Sequence, residues 1–172
     1  MARLICIYLF CLLLPAPKPD DIRHKLTLAI NSSKITDSLY KSLANIKDKP
    51  PVVISYMGAL EALKAKHAWN PYSKLKYINR SEKTFVKAIA ADPHNIEIRF
   101  LRFSVEHNLP AFLCDNKQLL GDREEIIALV KKEHYNSNDK SLVIAVVKFL
   151  LGSKRCTPAE NAYLSDALTR LQ

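Results

Sequence analysis

Apolar positions in this chain return every three or four residues, the repeat of a helix that turns one face inward. Val53, Tyr56, Leu60 and Leu63 show it, and Leu75, Ile78, Phe85 and Ile89 form a second set. Gly58, Ala59 and Ala62 lie among the first set and leave room for another backbone to come close. The short link Trp69-Asn70-Pro71 predicts that these two helices fold back on each other as an antiparallel hairpin. Asn70-Pro71, Asp92-Pro93 and Thr157-Pro158 each set a capping side chain before a proline suited to a first helical turn. Thr157 with Glu160, and Asp122 with Glu125, have the spacing of a reciprocal cap. The pattern predicts helices near 36–47, 52–68, 71–91, 93–107, 122–135, 139–151 and 158–171. A weaker helix is expected at 22–30, where Ile22, Leu26 and Ile30 share a face but 26–30 equally fits a strand. Residues 142–151 are rich in Val and Ile, yet Asp139 as a start and Gly152 as a stop favour a helix there. The second half offers no partner strand, so the fold class is read as all-α, a compact multi-helix domain.

Composition narrows this further. The chain has 172 residues, 48% hydrophobic and 25% charged, the proportions and length of one folded domain. Only three glycines are present, too few for most phosphate-cradling loops, hairpin turns or β-sandwich layouts. Residues 4–14 form an apolar run after Arg3 and before Pro15-Ala16-Pro17, the outline of a secretory signal. A membrane span needs about 20 residues, so this run is short for one. The expected organisation is a signal-like segment and short linker at 1–19, followed by a single helical domain at 20–172. The expected location is extracytoplasmic, periplasmic or secreted, with membrane tethering if the segment is not cleaved. Cleavage would leave Cys114 and Cys156 where disulfides persist, and both pairing and two separate thiols are open to them. Neither lies in a C-x-x-C pair, which removes support for a thioredoxin-like motif or a structural zinc site.

The residues of the hairpin carry a resemblance. Tyr72, Phe85, Ala88 and Pro93 stand at spacings like those of a tetratricopeptide repeat, and residues 87–93, Lys-Ala-Ile-Ala-Ala-Asp-Pro, look like the end of its second helix. Trp69 stands where that repeat usually has Gly, Pro71 would interrupt its first helix, and no second copy follows about 34 residues later. The segment thus resembles a single degenerate tetratricopeptide-like hairpin, which implies a protein-binding or scaffolding role. Residues 95–103, Asn-Ile-Glu-Ile-Arg-Phe-Leu-Arg-Phe, also resemble segments of uncharacterised secreted bacterial helical proteins, which imply no activity.

Motifs for chemistry are mostly absent. The chain has no G-x-S-x-G, H-E-x-x-H, P-loop or dinucleotide-binding glycine pattern. His24, His67, His94, His107 and His134 are scattered without a metal-holding pair, so neither a metal nor a cofactor is expected. Arg99, Arg102 and Glu106 share one side of a helix rich in Ile, Leu and Phe, so the arginines need partners or a wet groove. The structural expectation is an internal network, with Arg102 paired to Glu106 at i, i+4 and Glu61 or Glu97 as further acceptors. The functional alternative is a groove for a carboxylate or phosphate, in which His107 and Asn108 form the rim. On that alternative the chain is a small enzyme or carrier of an anionic ligand, with His107 as a base.

Charge points to a different face. The net charge is +9, and residues 40–90 alone hold ten Lys or Arg against three acidic residues. Lys76, Arg80, Lys83 and Lys87 follow one another by four, three and four, which sets them along one helix face. That stripe is expected to face water, as a solvated surface or as a docking face for an acidic protein, an anionic envelope component or a membrane surface. Nucleic acid is disfavoured, because no recognition module is visible and the stripe has no interleaved aromatics. The leading expectation is therefore a non-enzymatic interaction or scaffold protein.

Overall fold

In the computed structural model, which describes residues 19–135 and 139–172, the expected signal-like run at 4–14 lies outside the described residues. The described residues form eight α-helices and no strand. They are α1 (Pro19–Ala29), α2 (Ser33–Ala44), α3 (Pro51–His67), α4 (Pro71–Ala91), α5 (Ile96–Asn108), α6 (Asn116–Lys131), α7 (Lys140–Gly152) and α8 (Pro158–Leu171). Among them no helix is long and apolar enough to cross a membrane.

The starts follow from local capping. Asn70 accepts the Ser73 amide at 2.7 Å with Pro71 in the first turn of α4. Thr157 and Glu160 cap each other's backbone amides at the start of α8. Several expected boundaries move, among them α1, which starts at Pro19 rather than 22, and three starts have a capping cause. α2 begins at Ser33 rather than 36, because Ser32 accepts the Ile35 amide. α5 begins at Ile96 rather than 93: Asp92, Pro93 and His94 form a turn, and Asn95 caps the amides of Glu97 and Ile98. α6 begins at Asn116 rather than 122, capped by Asp115. Asp122, expected as a cap, is instead a fully buried residue inside α6. Asp139 stands at the start of α7 without a capping bond, and its carboxylate takes Arg23 at 3.1 Å.

Two apolar cores share α5. The first gathers Ile22, Leu39, Leu43, Tyr56, Leu60 and Phe85 from α1 to α4, closed by Leu101. The second gathers Ile126, Val130, Val143, Val147, Leu150 and Leu164 from α6 to α8, closed by Ile96 and Phe103. α5 thus turns Leu101 to one core and Phe103 to the other.

α3 and α4 approach closely where Gly58 has no side chain. The Phe85 ring covers that glycine, and the Ser81 hydroxyl donates to the Gly58 carbonyl at 2.8 Å. This shifts the inner face of α4 from the expected one. Ser81, Phe85 and Ala88 are buried, whereas Leu75, expected inside, is half exposed. At about 100° per residue Leu75 lies roughly 120° around the helix from Ser81. The missing side chain at position 58 makes room for the Phe85 ring in the seam. A Cβ at position 58 would meet the Phe85 ring at 3.2 Å. Gly58→Val is expected to lower stability by about 1–3 kcal/mol, read as a lower urea midpoint; an unchanged midpoint would contradict the close approach.

Candidate functional site

The outer face of α4 is built by the same rotation that buries Ser81 and Phe85. Tyr72, Leu75, Lys76, Asn79, Arg80 and Lys83 line a shallow depression on it. Lys76, Lys83 and Lys87 are exposed, and no ion pair among the described residues involves them. Arg80 differs from its neighbours in the stripe. Its Nη2 reaches Glu61 Oε1 at 3.1 Å and donates to the Tyr40 hydroxyl at 3.0 Å, so it bridges α4 to α3 and α2. Burial, and then the Glu61 charge, raises the Tyr40 pKa.

Aromatic residues, not foreseen beside this stripe, accompany it. Tyr72 is 79% exposed on the depression, and Trp69, at the corner before α4, is 96% exposed. Alternation alone could not show this, because exposure at a corner depends on which other helix covers it.

The proposed groove residues lie elsewhere, on α5, and are engaged inside the protein. Arg102 is 8% exposed and holds Asp122 with two bonds, Nε to Oδ2 at 2.6 Å and Nη2 to Oδ1 at 2.8 Å. Its Nη1 donates to Gln118 at 2.7 Å. Arg99 donates to the same Asp122 at 2.9 Å and to the Pro93 carbonyl at 2.8 Å. The expected Arg102–Glu106 pair does not form, since Glu106 accepts the Asp115 amide at 3.0 Å. Burial pushes the Glu106 carboxyl up, opposed by that amide. The other expected acceptors also serve different helices. Glu61 takes Arg80, Tyr40 and Thr84, and the two Glu97 oxygens accept from Nε and Nη2 of Arg23 at 2.7 and 2.8 Å. Tyr56 donates to the same carboxylate. Burial, followed by the Glu97 charge, holds the Tyr56 hydroxyl protonated far above its ordinary range, and the Glu97 bond raises Arg23.

Asn108 returns its side-chain amide to the Ser104 carbonyl at 2.7 Å, the bond of a helix-end residue. His107 lies parallel to Phe103 and edge-on to Phe149, with centroids 6.1 and 5.6 Å away. Its buried Nδ1 has no hydrogen-bond partner among the described residues. Cys114 and Cys156 are free thiols rather than a disulfide. One sulfur turns toward Asn116 Oδ1 and the other toward the Leu150 carbonyl, each at 3.8 Å. Burial raises both thiols. Among the described residues no three His, Cys, Asp or Glu gather as a metal set.

No family model, curated protein or solved structure matches the chain. The geometry itself therefore carries the functional reading: one exposed basic and aromatic face, and one internal charge network.

His107 gives a test of its role. Burial, with the Arg155 charge, holds it below the ordinary imidazole value of 6.5. As pH falls through that value the unfolded chain binds the proton more readily than the folded one, so stability falls too. His107→Phe removes the unpaired nitrogen and the titration together. Its thermal midpoint is expected above the parent's near pH ~5, with the gap narrowing toward pH ~8; a lower midpoint at the acid end would contradict the assignment.

Proposed function

We propose that the chain is a non-enzymatic, extracytoplasmic helical interaction protein that uses the outer face of α4 to bind another protein or an anionic envelope component. The observation that carries this reading is the exposed row of Lys76, Lys83 and Lys87, without an ion pair among the described residues, on the helix face where Tyr72 and Leu75 are also exposed. Cations free of internal partners attract an acidic surface, and exposed apolar side chains add burial once contact is made. The resemblance of residues in 72–93 to a tetratricopeptide repeat supports a scaffolding role. The apolar run at 4–14 supports the extracytoplasmic placement, with tethering to the membrane if it is retained.

The alternative, an anionic ligand held by Arg99, Arg102 and His107, has less support. The Arg102 donors serve Asp122 and Gln118, and those of Arg99 serve Asp122 and Pro93. A ligand there would have to displace a fully buried carboxylate.

The test is crosslinking and affinity capture from native envelope extract with the parent chain and a Lys76→Glu, Lys83→Glu, Lys87→Glu variant. Arg80 is left in place because it holds Glu61. Capture is expected to fall at least about tenfold in the variant while its thermal midpoint stays unchanged. Equal capture by both proteins would remove α4 from the proposal.

A further inference from the structure

The α1–α2 turn and the α3–α4 corner lie side by side. Lys66 Nζ donates to the Ile30 carbonyl at 2.8 Å, and the His67 ring nitrogen lies 3.0 Å from the Ala29 carbonyl. Eight large hydrophobic residues are exposed among the described residues, and five of them belong to this end: Leu28, Ile30, Trp69, Tyr72 and Leu75. The three others, Val86, Phe112 and Leu120, lie on three different segments. Scattered apolar residues are ordinary on a surface, but a cluster marks something that covers it.

The charge around the cluster is predominantly positive. Neither residues 22–36 nor residues 62–81 contain an Asp or Glu. Lys34, Lys66, Lys74 and Lys76 are all exposed. The next carboxylate along α2, Asp37, is held by Lys64 at 2.8 Å.

From this arrangement we infer that this end of the molecule docks on an anionic lipid bilayer, with Trp69 and Tyr72 seated at the headgroup level. Deepening the reading of α4 as a recognition surface, the inference rests on it and names the partner's chemistry. Trp69 stands at a corner between helices rather than in a cleft, and at 96% exposure it touches almost nothing of its own chain. An amphipathic ring presented in that way suits an interface that is wet on one side and apolar on the other. Leu28 and Ile30 at the α1–α2 turn, and Leu75 in the depression with Tyr72, supply aliphatic surface at this end. Lysine stems lie along apolar surface while their ammonium groups reach the phosphates. Each lysine near an anionic leaflet strengthens binding severalfold, so four at one end suffice for reversible docking.

Trp69 is the only tryptophan in the chain, so its own fluorescence reports the site. The full chain is titrated with vesicles of phosphatidylcholine containing about one third phosphatidylglycerol, with pure phosphatidylcholine vesicles and with polyglutamate. The expected result is emission at shorter wavelength and shielding from iodide on the anionic vesicles alone, reversed by high salt. Lys74→Glu with Lys76→Glu is expected to weaken partitioning at least about tenfold. Both side chains are exposed, so the folded midpoint should not move. Sedimentation with vesicles while Trp69 stays water-exposed would overturn the inference, because another segment would then be the anchor. An equal shift on neutral vesicles, or none on any vesicle, would overturn it as well. A shift with polyglutamate but not with vesicles would refute lipid docking while leaving recognition by α4 intact, whereas unchanged capture in the Lys76, Lys83, Lys87 variant refutes that reading separately.

Discussion

The buried charges of α5 constrain everything packed around it. Glu97, Arg102 and Glu106 lie on a helix whose other residues close two apolar cores. A charge left unpaired in such a place costs several kcal/mol, so each must meet its partner for the helices to dock at all. Glu97 requires Arg23 from α1 and Tyr56 from α3. Arg102 requires Asp122 and Gln118 from α6, and Glu106 requires the amide of Asp115, the residue that caps α6. Apolar burial alone would tolerate sliding by a turn; a bidentate guanidinium–carboxylate pair does not. The charged residues therefore set where α1, α3 and α6 sit, and the apolar residues supply the drive to pack them.

This internal use of charge separates architecture from recognition. The arginines that could have formed an anion groove are held inside, while Lys76, Lys83 and Lys87 form no ion pair among the described residues. Arg80 stands between the two roles, anchored on Glu61 from the rim of the basic face. α4 can present that face because its buried side is the one that carries Ser81, Phe85 and Ala88, with Ser81 and Phe85 seated on Gly58, which leaves Tyr72 and Leu75 outside.

The all-helical class and most helix positions were legible because the signals are local. Asn70 before Pro71, and Thr157 with Glu160, cap their helices as their spacing implies. Asp122 with Glu125 has the same spacing and means something else. Nothing local separates a capping Asp from one that answers an arginine 20 residues earlier, and Asp115, closer to the loop, does the capping instead. The inner face of α4 is legible only in part: Phe85 is buried as expected, but Leu75 is not. Counting large apolar residues puts Leu75 inside, whereas the glycine on the facing helix seats Phe85 and Ser81, and the face these two define leaves Leu75 half exposed. The partners of Glu97 and the exposure of Trp69 were not legible, since both depend on which distant helix arrives. The basic stripe was legible as periodicity, but not the withdrawal of Arg80 from it.

The central claim is that the Arg102–Asp122 pair, as part of this network, fixes the docking of α6 on α5. Urea unfolding of Asp122→Leu, Arg102→Met and the double variant measures it most directly. The expected result is a loss of about 3–5 kcal/mol for Asp122→Leu, which strands Arg102 in the interior, and recovery of much of that loss when Arg102→Met is added. Losses that simply add, or a single-variant loss below about 1 kcal/mol, would contradict the claim.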